Sequence, residues 1–222
     1  VEGERTLAAS CCRQPSGGMQ VSSASERARA SQRLVLELLQ AALPETVYTR
    51  HNEVDQWSAK LGVGKPRFAP RAQPAADVSH PAIAVHLDAC IQCTRCLRAC
   101  RDEQANDVIG LALRGAHAKI VFDMDDPMGA STCVACGECV QACPTGALAP
   151  AHGAAMAASD REVASLCPYC GVGCQLTFHV KDDRITHVQG RHGPANEGRL
   201  CVKGRYGFDY TRHPQRQTQP LS

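Results

Sequence analysis

Four cysteines, Cys90, Cys93, Cys96 and Cys100, form a C-x2-C-x2-C-x3-C run, and Cys133, Cys136, Cys139 and Cys143 repeat it. This spacing limits the fold more than any other feature of the chain. Three cysteines at intervals of three turn successive thiolates into one small volume, which suits one face of a [4Fe–4S] cubane. The fourth lies in the next turn and reaches the other cubane of a two-cluster module. On spacing, Cys90, Cys93, Cys96 and Cys143 therefore form one ligand set, and Cys133, Cys136, Cys139 and Cys100 the second. Zinc takes its thiolates in two pairs, and this run offers no such pairing. A disulfide framework suits a short secreted chain, not one of 222 residues with this repeat. Arg101 follows the first run where Pro144 follows the second. That position supplies no ligand atom, so the assignment is unaffected.

Fourteen cysteines against 4% aromatic residues point to thin cores in which inorganic clusters contribute much of the folding free energy. The net charge of +2 is dispersed, with no aromatic-interleaved basic patch, so nucleic-acid binding is set aside. No apolar run is of membrane-spanning length, and no signal peptide is visible. Reduced thiolate ligands suit the cytoplasm.

In chain order, Arg5 to Ala9 reads as a strand entering Cys11-Cys12 and a Pro15–Gly18 turn. Two adjacent cysteines cannot close a metal site alone, and the local reading is a buried thiol. A helix follows, with Ser23 and Glu26 as a capping box and Leu34, Leu38 and Ala41, with Val35, Leu39 and Ala42, as a core stripe that Pro44 ends. Residues 46–81 read as a linker, rich in glycine and proline from Gly62 to Pro81. Residues 82–150 form the two-cluster module, with a hairpin from Val108–Leu113 and Lys119–Phe122 around Gly115. Asp123, Asp125 and Asp126 read as a solvated turn, because the glycine and final glutamate of a calcium loop are missing. His86 and His51 read as structural. Residues 144–160 read as a short helix and a second linker, 151–162.

A third cysteine group begins at Cys167. Cys170 and Cys174 complete a C-x2-C-x3-C run, and Cys201 follows at distance. Between them Gln175–Val180 and Ile185–Gln189 read as a hairpin around Lys181–Arg184, which returns Cys201 to the other three. Spacing leaves a cubane and a zinc ion equally open here.

C-P-Y-C-G-V-G-C from Cys167 and G-R-L-C-V-K-G-R from Gly198 resemble the cluster-binding start of the molybdopterin oxidoreductases. The run Gly204–Tyr210 resembles formate dehydrogenase catalytic subunits. E-G-E-R-T-L-A-A-S-C-C near the start, and the stretches around both central runs, resemble the alpha subunit of soluble NAD-dependent formate dehydrogenases.

The resemblance implies an α+β chain: a two-[4Fe-4S] ferredoxin-like module between two partial neighbours. Before it stands the end of a [2Fe-2S] ferredoxin domain with a helix (1–45). After it stands the small [4Fe-4S] domain of a molybdopterin oxidoreductase (163–222). It implies a cubane at Cys167, Cys170, Cys174 and Cys201, and a [2Fe-2S] ligand at Cys11. It also implies Lys203 between the third cubane and a molybdenum or tungsten bis-molybdopterin guanine dinucleotide.

The implied function is electron transfer from formate oxidation toward flavin- and NAD-binding and [2Fe-2S] partner subunits. The chain is read as a fragment that is not catalytic alone, since the metal-ligating and substrate-binding residues of the family lie beyond Ser222. A complex I-like or hydrogenase-type subunit and another molybdopterin oxidoreductase, such as nitrate reductase, are the rival readings. No cysteine lies between Cys12 and Cys90, so the additional His-x3-Cys-type cluster of many relatives is missing.

Overall fold

The computed structural model describes residues 1–70, 72, 74–151 and 158–220. The chain packs as two units, Val1–Leu43 with Glu53–Arg71, and Pro44–Asn52 with Ala72–Ser222.

The first unit is built on two helices, α1 (Glu26–Ala42) and α2 (Glu53–Leu61). Ser25 caps α1, its side chain accepting from the Ala28 amide, so the cap falls two residues after Ser23. The inward face of α1 carries Glu37 and Ala41, one turn apart, and the expected apolar stripe is corrected accordingly. Leu34, Val35 and Leu38 are about half exposed, at 43%, 53% and 48%. Glu37 is stabilised by Arg67, which donates from Nε at 2.7 Å, from its second guanidinium nitrogen at 2.8 Å and from its backbone at 2.9 Å. Those hydrogen bonds hold the Glu37 carboxyl down at about 2. Two sequence expectations need correction. Residues 5–9 form no strand, and a 3-10 turn, Ser10–Cys12, carries the cysteine pair. The stretch read as linker contains α2, whose Val54 and Ser58 are buried.

The second unit holds the cysteine runs. Strand β1 (Ile83–Val85) pairs antiparallel with β4 (Leu148–Pro150), in register Ile83↔Pro150 to Val85↔Leu148. The expected hairpin forms from β2 (Ile109–Ala112) and β3 (Lys119–Phe122), in register Ile109↔Phe122 to Ala112↔Lys119. The two pairs enclose a core of Ile83, Val85, Ile109, Ile120, Phe122, Met128 and Leu148, into which Cys96, Cys100 and Cys139 project. Helices α3 (Arg95–Arg98) and α4 (Glu138–Ala142) grow out of the two cysteine runs and pack on each other. A π-helical turn, Ala99–Glu103, extends α3 past Cys100. Of the short helix read in 144–160, residues 148–150 are strand instead, paired antiparallel with β1, and residues 152–157 lie outside the described residues. Residues 44–52 belong to this unit. Tyr48 stacks on His86 at 3.8 Å and donates to Asp88 at 2.9 Å, so His86 is a packing group.

Residues 161–190 form a three-stranded antiparallel meander: β5 (Arg161–Leu166), β6 (Gln175–Lys181) and β7 (Arg184–Gly190). Strand β5 was not foreseen from the sequence. The β6–β7 turn has two residues, Asp182 and Asp183, both at positive φ (49° and 55°), the pattern of a tight hairpin turn. Leu176, Val188 and Leu200 are the buried core of this module. Helix α5 (Val202–Tyr206) follows Cys201.

Candidate iron–sulfur centres

The two central runs adopt the same local backbone. Gln92 and Thr94 flank Cys93 at φ of 56° and 59°, and Ala135 and Gly137 flank Cys136 at 56° and 72°. Three of these four residues carry a Cβ, and left-handed backbone costs each of them about 1–2 kcal/mol. Such strain persists where the surrounding structure dictates it, and it gathers at binding sites. Its consequence is visible in both runs. The Gln92 amide points at Cys90 Sγ at 3.4 Å, and the Ala135 amide points at Cys133 Sγ at 3.4 Å. Amides aimed at sulfur stabilise thiolate charge.

Each run closes a cavity with one cysteine borrowed from the other. Cys90, Cys93, Cys96 and Cys143 line the first, with Ile91, Ile120, Pro144 and Leu148. Cys100, Cys133, Cys136 and Cys139 line the second, with Val108, Phe122, Met128 and Gly137. These are the same two sets of four that the spacing grouped. The exchange is pinned by Thr145, a buried side chain next to Pro144 whose hydroxyl donates to the Ala89 carbonyl at 2.6 Å.

The electrostatics of the thiols follow from burial. Burial pushes the Cys96 thiol up to about 12, and the neighbouring Cys143, Cys90 and Cys93 add repulsion. Burial raises Cys139 well above the usual thiol range, with Cys136, Cys96, Cys133 and Cys100 adding to it. Four thiolates packed in apolar surroundings therefore require a strongly positive occupant.

In the third group the Cys167 amide donates to the Cys174 carbonyl at 2.8 Å, closing the C-x2-C-x3-C loop. Asn196 draws the returning segment in: its Oδ1 accepts from the Gln175 amide, and its Nδ2 donates to the carbonyls of Gln175, Arg191 and Arg199. Burial raises Cys174, and Cys167, Cys170 and Cys201 repel its thiolate further, so the four belong to one neighbourhood. Cys170, Cys201 and Lys203 are exposed. This site is more open than the central two.

Cys11 belongs to the first unit. It and Cys12 are exposed, with their sulfurs 3.7 Å apart. None of the fourteen cysteines is disulfide-bonded.

The donor sets fit a multi-iron group. A single tetrahedral zinc with bonds of about 2.3 Å needs its sulfurs about 3.8 Å apart. A cubane spreads its four thiolates over separate corners, which answers the cavities lined by the central sets.

Sequence reasoning missed the residues that join the third group to the second cavity. Arg205, in α5, is 5% exposed. Its Nε donates to the Cys136 carbonyl at 3.0 Å, and one guanidinium nitrogen donates to Gln141 Oε1 at 2.9 Å. The other faces Glu138 Oε2 at 3.4 Å. Gln141 donates in turn to the Gly198 carbonyl at 2.9 Å, and Arg199 pairs with Glu103. The only signal in the sequence was a cation two residues after Lys203, inside a stretch noted for its resemblance alone.

Comparison with known families matches residues 160–213 to the "Molybdopterin oxidoreductase Fe4S4 domain" and residues 80–149 to the "NADH-quinone oxidoreductase subunit 3, ferredoxin-like domain". Among curated proteins, one from Staphylococcus haemolyticus named "Putative formate dehydrogenase" is 29% identical over 212 residues, covering 77% of this chain and 21% of its own length. Namesakes from Staphylococcus aureus match at the same identity and coverage. The chain thus spans about a fifth of the length of these relatives. Among solved structures, an NAD+-reducing [NiFe]-hydrogenase in the H2-reduced state superposes with a TM-score of 0.60 at 25% identity, covering 64% of this chain and 63% of that one.

Proposed function

We infer, from a chain that joins a ferredoxin-like iron–sulfur domain to a molybdopterin oxidoreductase Fe4S4 domain, that it is the electron-conducting segment of a formate dehydrogenase. One observation carries this reading: two thiol-lined cavities in one core, with a third thiol group latched to the second cavity through Arg205. Cys90, Cys93, Cys96 and Cys143 would hold one [4Fe–4S] cluster, and Cys133, Cys136, Cys139 and Cys100 another. Cys167, Cys170, Cys174 and Cys201 would hold the third, with Cys11 as one ligand of a [2Fe–2S] centre.

Bound clusters supply one-electron carriers whose potentials depend on burial and hydrogen bonding. The chain's own residues do the rest. The Gln92 and Ala135 amides favour charge on Cys90 and Cys133. Ile120, Leu148, Phe122 and Met128 exclude water from the central pair. Lys203, exposed two residues past Cys201, would stand between the third cluster and a bis-pterin molybdenum or tungsten cofactor held mostly by other segments. Electrons from formate would enter at the third site, cross the central two and leave toward flavin- and NAD-binding partners. No helix among the described residues is long and apolar enough to cross a membrane, and a cytoplasmic setting suits the free thiols.

Anaerobic reconstitution with iron and sulfide tests the cluster reading. About twelve irons and twelve sulfides per chain are expected from three cubanes; a folded, colourless product holding zinc would overturn it. Formate-dependent NAD reduction by the complete protein tests the substrate. The likeness to an NAD+-reducing hydrogenase favours a second reading, a hydrogenase-type subunit. Reduction by H2 and none by formate would select it.

A further inference from the structure

We propose that Tyr206, contributed by the third module, donates a hydrogen bond to the group bound at Cys133, Cys136, Cys139 and Cys100, and thereby raises the reduction potential of that central site. The proposal rests on the cluster reading above, and it concerns a residue that none of the cysteine motifs contains.

Three observations meet at this hydroxyl. First, Tyr206 Oη is buried and has no hydrogen-bond partner among the described residues. A buried phenol normally finds one, and leaving it unmet is destabilising. Second, its place is fixed by Gly137. A Cβ built on Gly137 would lie 2.6 Å from Tyr206 Oη and 2.6 Å from Arg205 Nε. Gly137 lines the second cavity and separates Cys136 from Glu138 and Cys139. The absence of a side chain there lets the hydroxyl approach the backbone between two candidate ligands. Third, the approach is held from behind. Arg205 donates to the Cys136 carbonyl and to Gln141, and Tyr206 packs against the core that contains Cys100 and Cys139.

An O–H aimed at a thiolate–sulfide group favours its more negative, reduced form. The donor remains neutral and no proton is transferred. Arg205 acts as a positioning residue, and Tyr206 makes the contact. The third module would then shape the electronics of its neighbour as well as carrying its own cluster.

The test uses the reconstituted full chain, titrated with dithionite and mediators under EPR. Tyr206→Phe removes only the hydroxyl. One of the three cluster signals should lose about tenfold in its one-electron reduction equilibrium, equivalent to about 59 mV, with the other two unmoved. Unshifted potentials in an iron-replete variant would overturn the proposal, and so would an equal shift of all three. The wild-type chain gives a second readout. After exchange into D2O, electron–nuclear double resonance on the reduced site should show an exchangeable deuteron that fluorinated tyrosine perturbs. No perturbed coupling would overturn the proposal even if the phenylalanine variant fails to fold. A chain that takes up no iron and sulfide sinks the cluster reading instead, which keeps the two failures apart.

Discussion

Replacing Arg205 by methionine should loosen the third module from the ferredoxin-like module by about 3–5 kcal/mol. The Arg205 side chain is 6% exposed and that of Glu138 10%. Methionine fills much of the volume but removes every donor. The Cys136 carbonyl and Gln141 Oε1 each lose a partner, and Glu138 is left as a buried, unpaired carboxylate. Breaking one side of a buried pair costs about 3–5 kcal/mol. Burial already pushes the Glu138 carboxyl up, against the pull of Arg205 and Arg199, so protonation limits the loss to that range. Hydrogen exchange by mass spectrometry on the loaded chain reads it directly. Peptides spanning residues 198–210 should exchange about 140- to 3,700-fold faster, since each 1.4 kcal/mol is tenfold. The double variant Arg205→Met, Glu138→Leu should recover most of the protection, because an apolar pair substitutes well for a buried ion pair. Acceleration under fivefold, or no recovery in the double variant, would show that the latch does not hold the modules together.

Gly137→Ala should be more damaging than its size suggests. It places a Cβ at φ +72° against Arg205 and Tyr206, and overpacking plus strain should cost about 2–4 kcal/mol and lower the iron content of the reconstituted chain. His187 should make the three-stranded sheet acid-sensitive. It stacks on His179 at 3.9 Å, and burial, then the neighbouring His179, hold it down at about 4 against an ordinary 6.5. The unfolded chain thus takes up the proton first, so stability is complete above pH 6.5 and falls toward pH 4. After discounting for partial exposure the loss should be about 1–2 kcal/mol. Exchange of residues 175–190, corrected for intrinsic rates, should show it, and His187→Gln should flatten the dependence.

Much of the candidate site was legible because gathering closely spaced thiols is a local problem. Three thiolates within seven residues are gathered by one turn, and the left-handed residues flanking Cys93 and Cys136 carry out what that spacing demands. The hairpins around Gly115 and Lys181–Arg184 were legible for the same reason, though the second turn is shorter than read, Lys181 and Arg184 being the strand ends. The strand read at 5–9 and the core stripe on α1 were not. Period and propensity do not say which face of an element finds a partner, and here Glu37 and Arg67 outweighed the leucines.

Spacing within each run thus determined which residue types converge and in what small groups. Only the tertiary structure decided how the groups adjoin. It paired β1 with β4, Ala84 opposite Ala149, buried Arg205 on the Cys136 carbonyl and left Tyr206 Oη without a protein partner among the described residues. Contacts of that range depend on which surfaces exclude water together, and one-dimensional spacing does not encode that.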